Sequence, residues 1–92
     1  MAGYLQIVQE ALRNAQKGVS ARDAAEIIKR ALEKNKPPKS PIGKYYVETS
    51  PRIGIGEVRV VLTGVGKKTI WWGLKRDPNG INGFRIFEQQ GH

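Results

Sequence analysis

In the second half of the chain the cations Arg59, Lys67, Lys68, Lys75, Arg76 and Arg85 are spaced around two large aromatic side chains, Trp71 and Phe87. Rings interleaved with cations suit single-stranded nucleic acid: the rings stack on bases, each worth roughly 1–3 kcal/mol, while the cations neutralise phosphates. Acid–base chemistry has a thinner basis. His92 ends the chain, and beside Arg85, Lys75, Arg76 and a carboxylate such as Glu57 or Glu88 it would suffice for metal-independent RNA cleavage through the 2′-hydroxyl. Only on that alternative are His92, Arg85, Glu57 and Glu88 catalytic. A Ser-His-Asp arrangement requires an internal, positioned histidine, and none is present.

Other site chemistries are poorly served. One histidine, no cysteine and scattered carboxylates give no metal-ligand spacing. Gly54-Ile55-Gly56 is half of a dinucleotide fingerprint with no helix to follow. In Gly64-Val65-Gly66-Lys67-Lys68-Thr69, Val61 stands where the first glycine of a phosphate loop belongs, and Lys68 stands where the Ser or Thr belongs. This segment reads as a hairpin loop, and no cofactor is expected.

The charge balance points the same way as the aromatic–cation set. The chain has 92 residues, with 16 Lys+Arg against 8 Asp+Glu and a net charge of +8, a strong positive field for one small domain, whose natural targets are phosphates or acidic surfaces. The excess is concentrated after residue 35, where most of the lysines and arginines fall but only half of the acids. No apolar run is long enough for a membrane span and no secretory plan opens the sequence, so a cytoplasmic protein with no membrane partner is expected.

The elements that must position these residues follow from periodicity and punctuation. Tyr4, Val8, Ala11, Leu12 and Ala15 recur at helical spacing, predicting a helix over about 2–17 that ends at Gly18. Ser20 before Ala21-Arg22-Asp23 is a capping signal, and Ala24, Ile27, Ile28, Ala31 and Leu32 form the stripe of a second helix over 20–35. Three prolines make 36–43 a stiff basic connector. Strand composition follows at Tyr45–Thr49, at Glu57–Thr63, at Lys68–Lys75 and from about Phe84 to Gln89, with turns at Gly64-Val65-Gly66 and at Asp77-Pro78-Asn79-Gly80. The expected architecture is α+β: a single domain over 1–92, its N-terminal helical hairpin packed on one face of a four-stranded antiparallel β-meander occupying about 44–90.

Side chains alternate along a strand, so parity sorts them by face. Val58, Val60, Leu62, Ile70, Trp72, Leu74, Phe84 and Ile86 belong to one, the core face. Arg59, Val61, Thr63, Thr69, Trp71, Lys75, Arg85 and Phe87 belong to the other. Trp71 and Phe87 are expected to stack on bases, with Arg59, Lys75, Arg76 and Arg85 on phosphates and Lys67 and Lys68 extending the basic strip.

Helices before a basic antiparallel sheet resemble the element order of small microbial and toxin-type ribonucleases, which implies the RNA-cleaving alternative above. The helix pair with Gly18-Val19-Ser20-Ala21-Arg22-Asp23 between resembles the opening of winged-helix DNA-binding domains, which implies a third helix where Lys36–Pro41 is unsuited to form one. The residues favour a non-enzymatic nucleic-acid-binding module, for RNA or single strands ahead of duplex DNA. A module docking on an acidic protein partner is the further alternative, and exposed strand edges would allow a homodimer.

Overall fold

The computed structural model describes residues 3–35, 43–49, 57–65 and 68–91, with backbone alone for Val65 and Lys68. The expectations that fall on the 36–42 connector, on Ile53-Gly54-Ile55-Gly56, on Lys67 and on His92 therefore lie outside the described residues. Two helices, α1 (Tyr4–Arg13) and α2 (Ala21–Asn35), precede four strands, β1 (Lys44–Glu48), β2 (Val58–Val65), β3 (Lys68–Ile81) and β4 (Phe84–Gly91). The strands form one antiparallel sheet in the order β1-β2-β3-β4, and the fold is α+β as the sequence implies.

The N-terminus of α2 forms as its capping signal dictates. The Asp23 backbone N–H donates to Ser20 Oγ at 3.1 Å, Ala24 N–H donates to the Ser20 carbonyl at 2.9 Å, and Asp23 places its acid in the first turn. Helix α1 stops at Arg13, short of the expected end near residue 17, and its last turn tightens, with Ala15 N–H reaching the Leu12 carbonyl at 3.2 Å. The carbonyls left over at this end are satisfied from far away in the chain. The Asn82 side-chain amide donates to the carbonyls of Ala15 at 2.9 Å, Leu12 at 3.3 Å and Gln16 at 3.4 Å.

Asn82 also corrects the expected hairpin. Asp77-Pro78-Asn79-Gly80 does not reverse the chain: β3 runs on to Ile81, and the reversal is the two-residue loop Asn82-Gly83, with φ of 52° and 84°. Positive φ at both positions is what lets a two-residue turn match the twist of its strands, and Asn-Gly is the dipeptide that supplies it at least cost. Residues 77–80 are instead extra length in β3, since Arg76 and Ile81 both face Phe84. The Asp77 carboxylate accepts from Asn79 N–H at 2.9 Å, and Asp77 N–H donates to the Gly83 carbonyl at 2.9 Å, which holds the bulge closed. Gly80 is obligatory there, because a Cβ would run into the Phe84 carbonyl.

The core lies between the helices and one sheet face. Val8, Leu12, Ile28 and Leu32 meet Val60, Leu62, Trp72, Leu74 and Phe84, all essentially without solvent contact. Trp72 is its largest member at 0% exposure, flanked by Tyr4 and Tyr45 with ring centroids at 5.3 and 6.5 Å, and its indole N–H donates to Glu88 at 3.2 Å. Burial, then the neighbouring Tyr4, push the Tyr45 hydroxyl up to about 12. No helix among the described residues is long and apolar enough to cross a membrane.

Candidate nucleic-acid interface

Both helices pack on the face that carries Trp72, and among the described residues no element covers the other. Its side chains can be placed by register in rows across the strands. One row reads Tyr46, Val61, Trp71 and Gln89; the next reads Glu48, Arg59, Gly73 and Phe87; the last pairs Lys75 with Arg85. Val61 is only 3% exposed although it faces away from the helices, since Tyr46 and Trp71 stand on either side of it. The face is thus an apolar floor bordered by Arg59, Lys75 and Arg85, with Glu48 opposite Arg59.

Trp71 and Phe87 are half-buried, and both lean on Gly73. A Cβ at Gly73 would lie 3.1 Å from Trp71 Cζ3 and 3.3 Å from Phe87 Cδ2. The missing side chain lets two rings from neighbouring strands settle over bare backbone, which rescues a glycine that would otherwise weaken the middle of a strand. The arginines then lie on the rings. The Arg59 guanidinium carbon is 3.9 Å from the Trp71 ring centroid, and that of Arg85 is 4.9 Å from the Phe87 centroid, within the range where the ring quadrupole attracts a cation.

The electrostatics are lopsided. The ion pairs among the described residues, Arg13 with Glu10 at 3.1 Å and Lys29 with Glu33 at 3.9 Å, lie on helices. Arg59, Lys75 and Arg85 therefore have no carboxylate at ion-pair distance among the described residues. Lys75 and Arg85 are directly opposite across β3 and β4, where like charges repel. Arg59 Nε is buried and lacks a hydrogen-bond partner among the described residues. An anion bound beside Lys75 and Arg85 would relieve their repulsion.

Of the expected site residues, the structure brings Arg59, Trp71, Lys75, Arg85 and Phe87 together on this face. Arg76 belongs elsewhere: it is on the helix side, its guanidinium 4.7 Å from the Phe84 ring centroid and donating to the Val19 carbonyl at 3.3 Å. It shares the parity of Leu74 and Trp72, so grouping it with the phosphate contacts ran against the alternation. The side chains of Lys67 and Lys68 lie outside the described residues. Of the cleavage alternative, Glu57, Lys75 and Arg85 share the outer face, Glu88 and Arg76 are on the helix side, and His92 lies outside the described residues. Among the described residues no group of side chains is set to hold a metal.

Sequence alone singles out Glu57 only as a carboxylate for the cleavage alternative, and it leaves Tyr46, Glu48 and Gln89 unassigned to this face. Tyr46 is 44% exposed and opposite Val61; its strand was recognised, but its parity was not resolved. The Glu57 carboxylate, 3.4 Å from the place of a Cβ on Gly73, lies among the rings.

Compared with known protein families, curated proteins and solved structures, the chain matches none at a significant level.

Proposed function

We propose that this protein binds nucleic acid, RNA or single strands in preference to duplex DNA, on the outer face of its sheet. One observation carries the reading: Trp71 and Phe87 are held half-exposed on a face where Lys75 and Arg85 are directly opposite one another and no described cation is at ion-pair distance from a described carboxylate. In this reading bases stack on the rings or on the guanidinium groups that cover them, and Arg59, Lys75 and Arg85 meet phosphates. Lys67 and Lys68, in and beside the β2–β3 connection, extend the strip along the backbone. A flat sheet face with aromatic platforms accommodates splayed bases, whereas reading a duplex groove requires a protruding helix or ribbon. The absence of cysteine is in keeping with a cytoplasmic location.

The test is titration of tryptophan fluorescence with short oligonucleotides at several salt concentrations, run beside Trp71→Phe. The expected result is quenching that Trp71→Phe removes, with affinity falling steeply as salt rises. An affinity that does not change with salt sinks the proposal. Docking on an acidic protein is the outcome indicated if Trp71→Ala leaves oligonucleotide binding at its wild-type, non-specific level.

A further inference from the structure

Glu57 is the anomaly of the face. Continuing the Val58↔Leu74 pairing by one residue sets Glu57 level with Lys75, the obvious partner for a surface carboxylate. Yet no Glu57–Lys75 ion pair forms; the carboxylate leans instead over Gly73, where Oε1 comes within 3.4 Å of the same point that Trp71 Cζ3 and Phe87 Cδ2 approach to 3.1 and 3.3 Å. An acid costs affinity for phosphate and adds nothing to stacking. What it supplies is a pair of acceptors, with no donor, at the edge of an aromatic platform.

Resting on the nucleic-acid reading above, we infer that this face is selective for guanine, with the Glu57 carboxylate accepting from the Watson–Crick edge of a base stacked on the guanidinium groups that cover the rings. Guanine is the base that presents two adjacent donors there, N1–H and the N2 amino group, which match the two carboxylate oxygens. Adenine and cytosine each offer one amino donor beside an acceptor nitrogen that would face a carboxylate oxygen, and uracil offers one N–H between two carbonyls. The contact is charge-assisted. Arg59, stacked on Trp71, keeps a positive charge near the carboxylate without neutralising it through an ion pair.

The experiment measures Trp fluorescence quenching by single-stranded RNA heptamers U3-X-U3, with X as guanine, inosine, adenine or uracil, in a lithium buffer that disfavours guanine quadruplexes. The guanine oligomer is expected to bind roughly tenfold or more tighter than the adenine and uracil ones, the size of one bidentate base contact. Inosine, which lacks the N2 amino group, falls between. Glu57→Gln, with one acceptor and one donor, abolishes the preference for guanine and moves it toward adenine, while the all-uracil heptamer, with a negative charge removed from the face, binds at least as tightly as to the wild type and the thermal midpoint is unchanged. Equal affinity for the four wild-type complexes, or a guanine preference that survives Glu57→Gln, overturns this inference and leaves nucleic-acid binding standing. No quenching by any heptamer at low salt overturns both.

Discussion

Trp71 and Trp72 are adjacent in the chain, and a single peptide bond divides the two faces of the sheet between them. Trp72 is sealed under the helices, its rim against Tyr4 and Tyr45 and its indole N–H on Glu88. Trp71 lies half-exposed on the outer face with an arginine over its ring. On the helix side the Trp72 indole has ring neighbours and a hydrogen-bond acceptor, although the Tyr4 hydroxyl is buried without a partner among the described residues. The outer side leaves cations beside cations and a carboxylate without an ion-pair partner among the described residues. Burial explains the first arrangement by itself, since removing apolar area from water stabilises by roughly 25 cal/mol per Å². The second is held by the cation–π contacts and by the packing of both rings on Gly73, yet it leaves Lys75 and Arg85 opposite one another, and that residual imbalance is the ground of the binding proposal.

The comparison breaks most visibly at its core side. Trp72→Ala should cost about 3–5 kcal/mol, as large aromatic deletions from a core do, enough to leave so small a domain largely unfolded in urea titrations at room temperature. Trp71→Ala should lower stability by less than about 1 kcal/mol but weaken oligonucleotide binding by roughly 1–3 kcal/mol, read from paired melts and titrations. If Trp71→Ala unfolds the protein as Trp72→Ala does, the outer ring is structural and the functional contrast between the faces is lost.

Asn82 sharpens the comparison from the helix side. Asn82→Ala gives up the cap on α1 and places alanine at positive φ, with an expected cost of about 1–2 kcal/mol. Asn82→Gly keeps the turn and loses only the cap, so its urea midpoint should fall between those of the wild type and Asn82→Ala. The smallest effect concerns pH. Tyr45, its pKa raised from 10.0 to about 12, binds its proton more tightly in the folded state. The stability this contributes is complete below pH 10 and is lost as the pH rises toward 12. Subtracting the urea midpoints of Tyr45→Phe from those of the wild type across pH 9 to 11.5 isolates the change from lysine titration, and a flat difference would remove the assignment.

Much of this was legible because it depends on local rules. Parity alone separates Trp71 from Trp72, and Ser20 three residues before Asp23 announces the start of α2. The hairpin was misplaced because two turn signals compete within seven residues. Asp77-Pro78-Asn79-Gly80 has the composition of a four-residue turn, but Asn82-Gly83 has the two positive φ values that a tight reversal requires. The register of β3 with β4 is settled by the second and leaves the first as a bulge. The end of α1 was beyond local reading altogether, because the group that caps it is about seventy positions away. So was the position of Glu57, since the gap it leans over is created by a glycine on the next strand.

The Asn82 cap has a consequence for folding kinetics. Its bonds to Leu12, Ala15 and Gln16 close loops of 70, 67 and 66 residues, which can form only after the helix and the last hairpin are both in place. Contacts of such separation carry a heavy loop-closure cost and are expected late on the folding path. The stability lost in Asn82→Gly should then appear as faster unfolding, with the refolding rate nearly unchanged in stopped-flow urea jumps. In this protein one amide in a two-residue turn would set how long the native state lasts more than how fast it is reached.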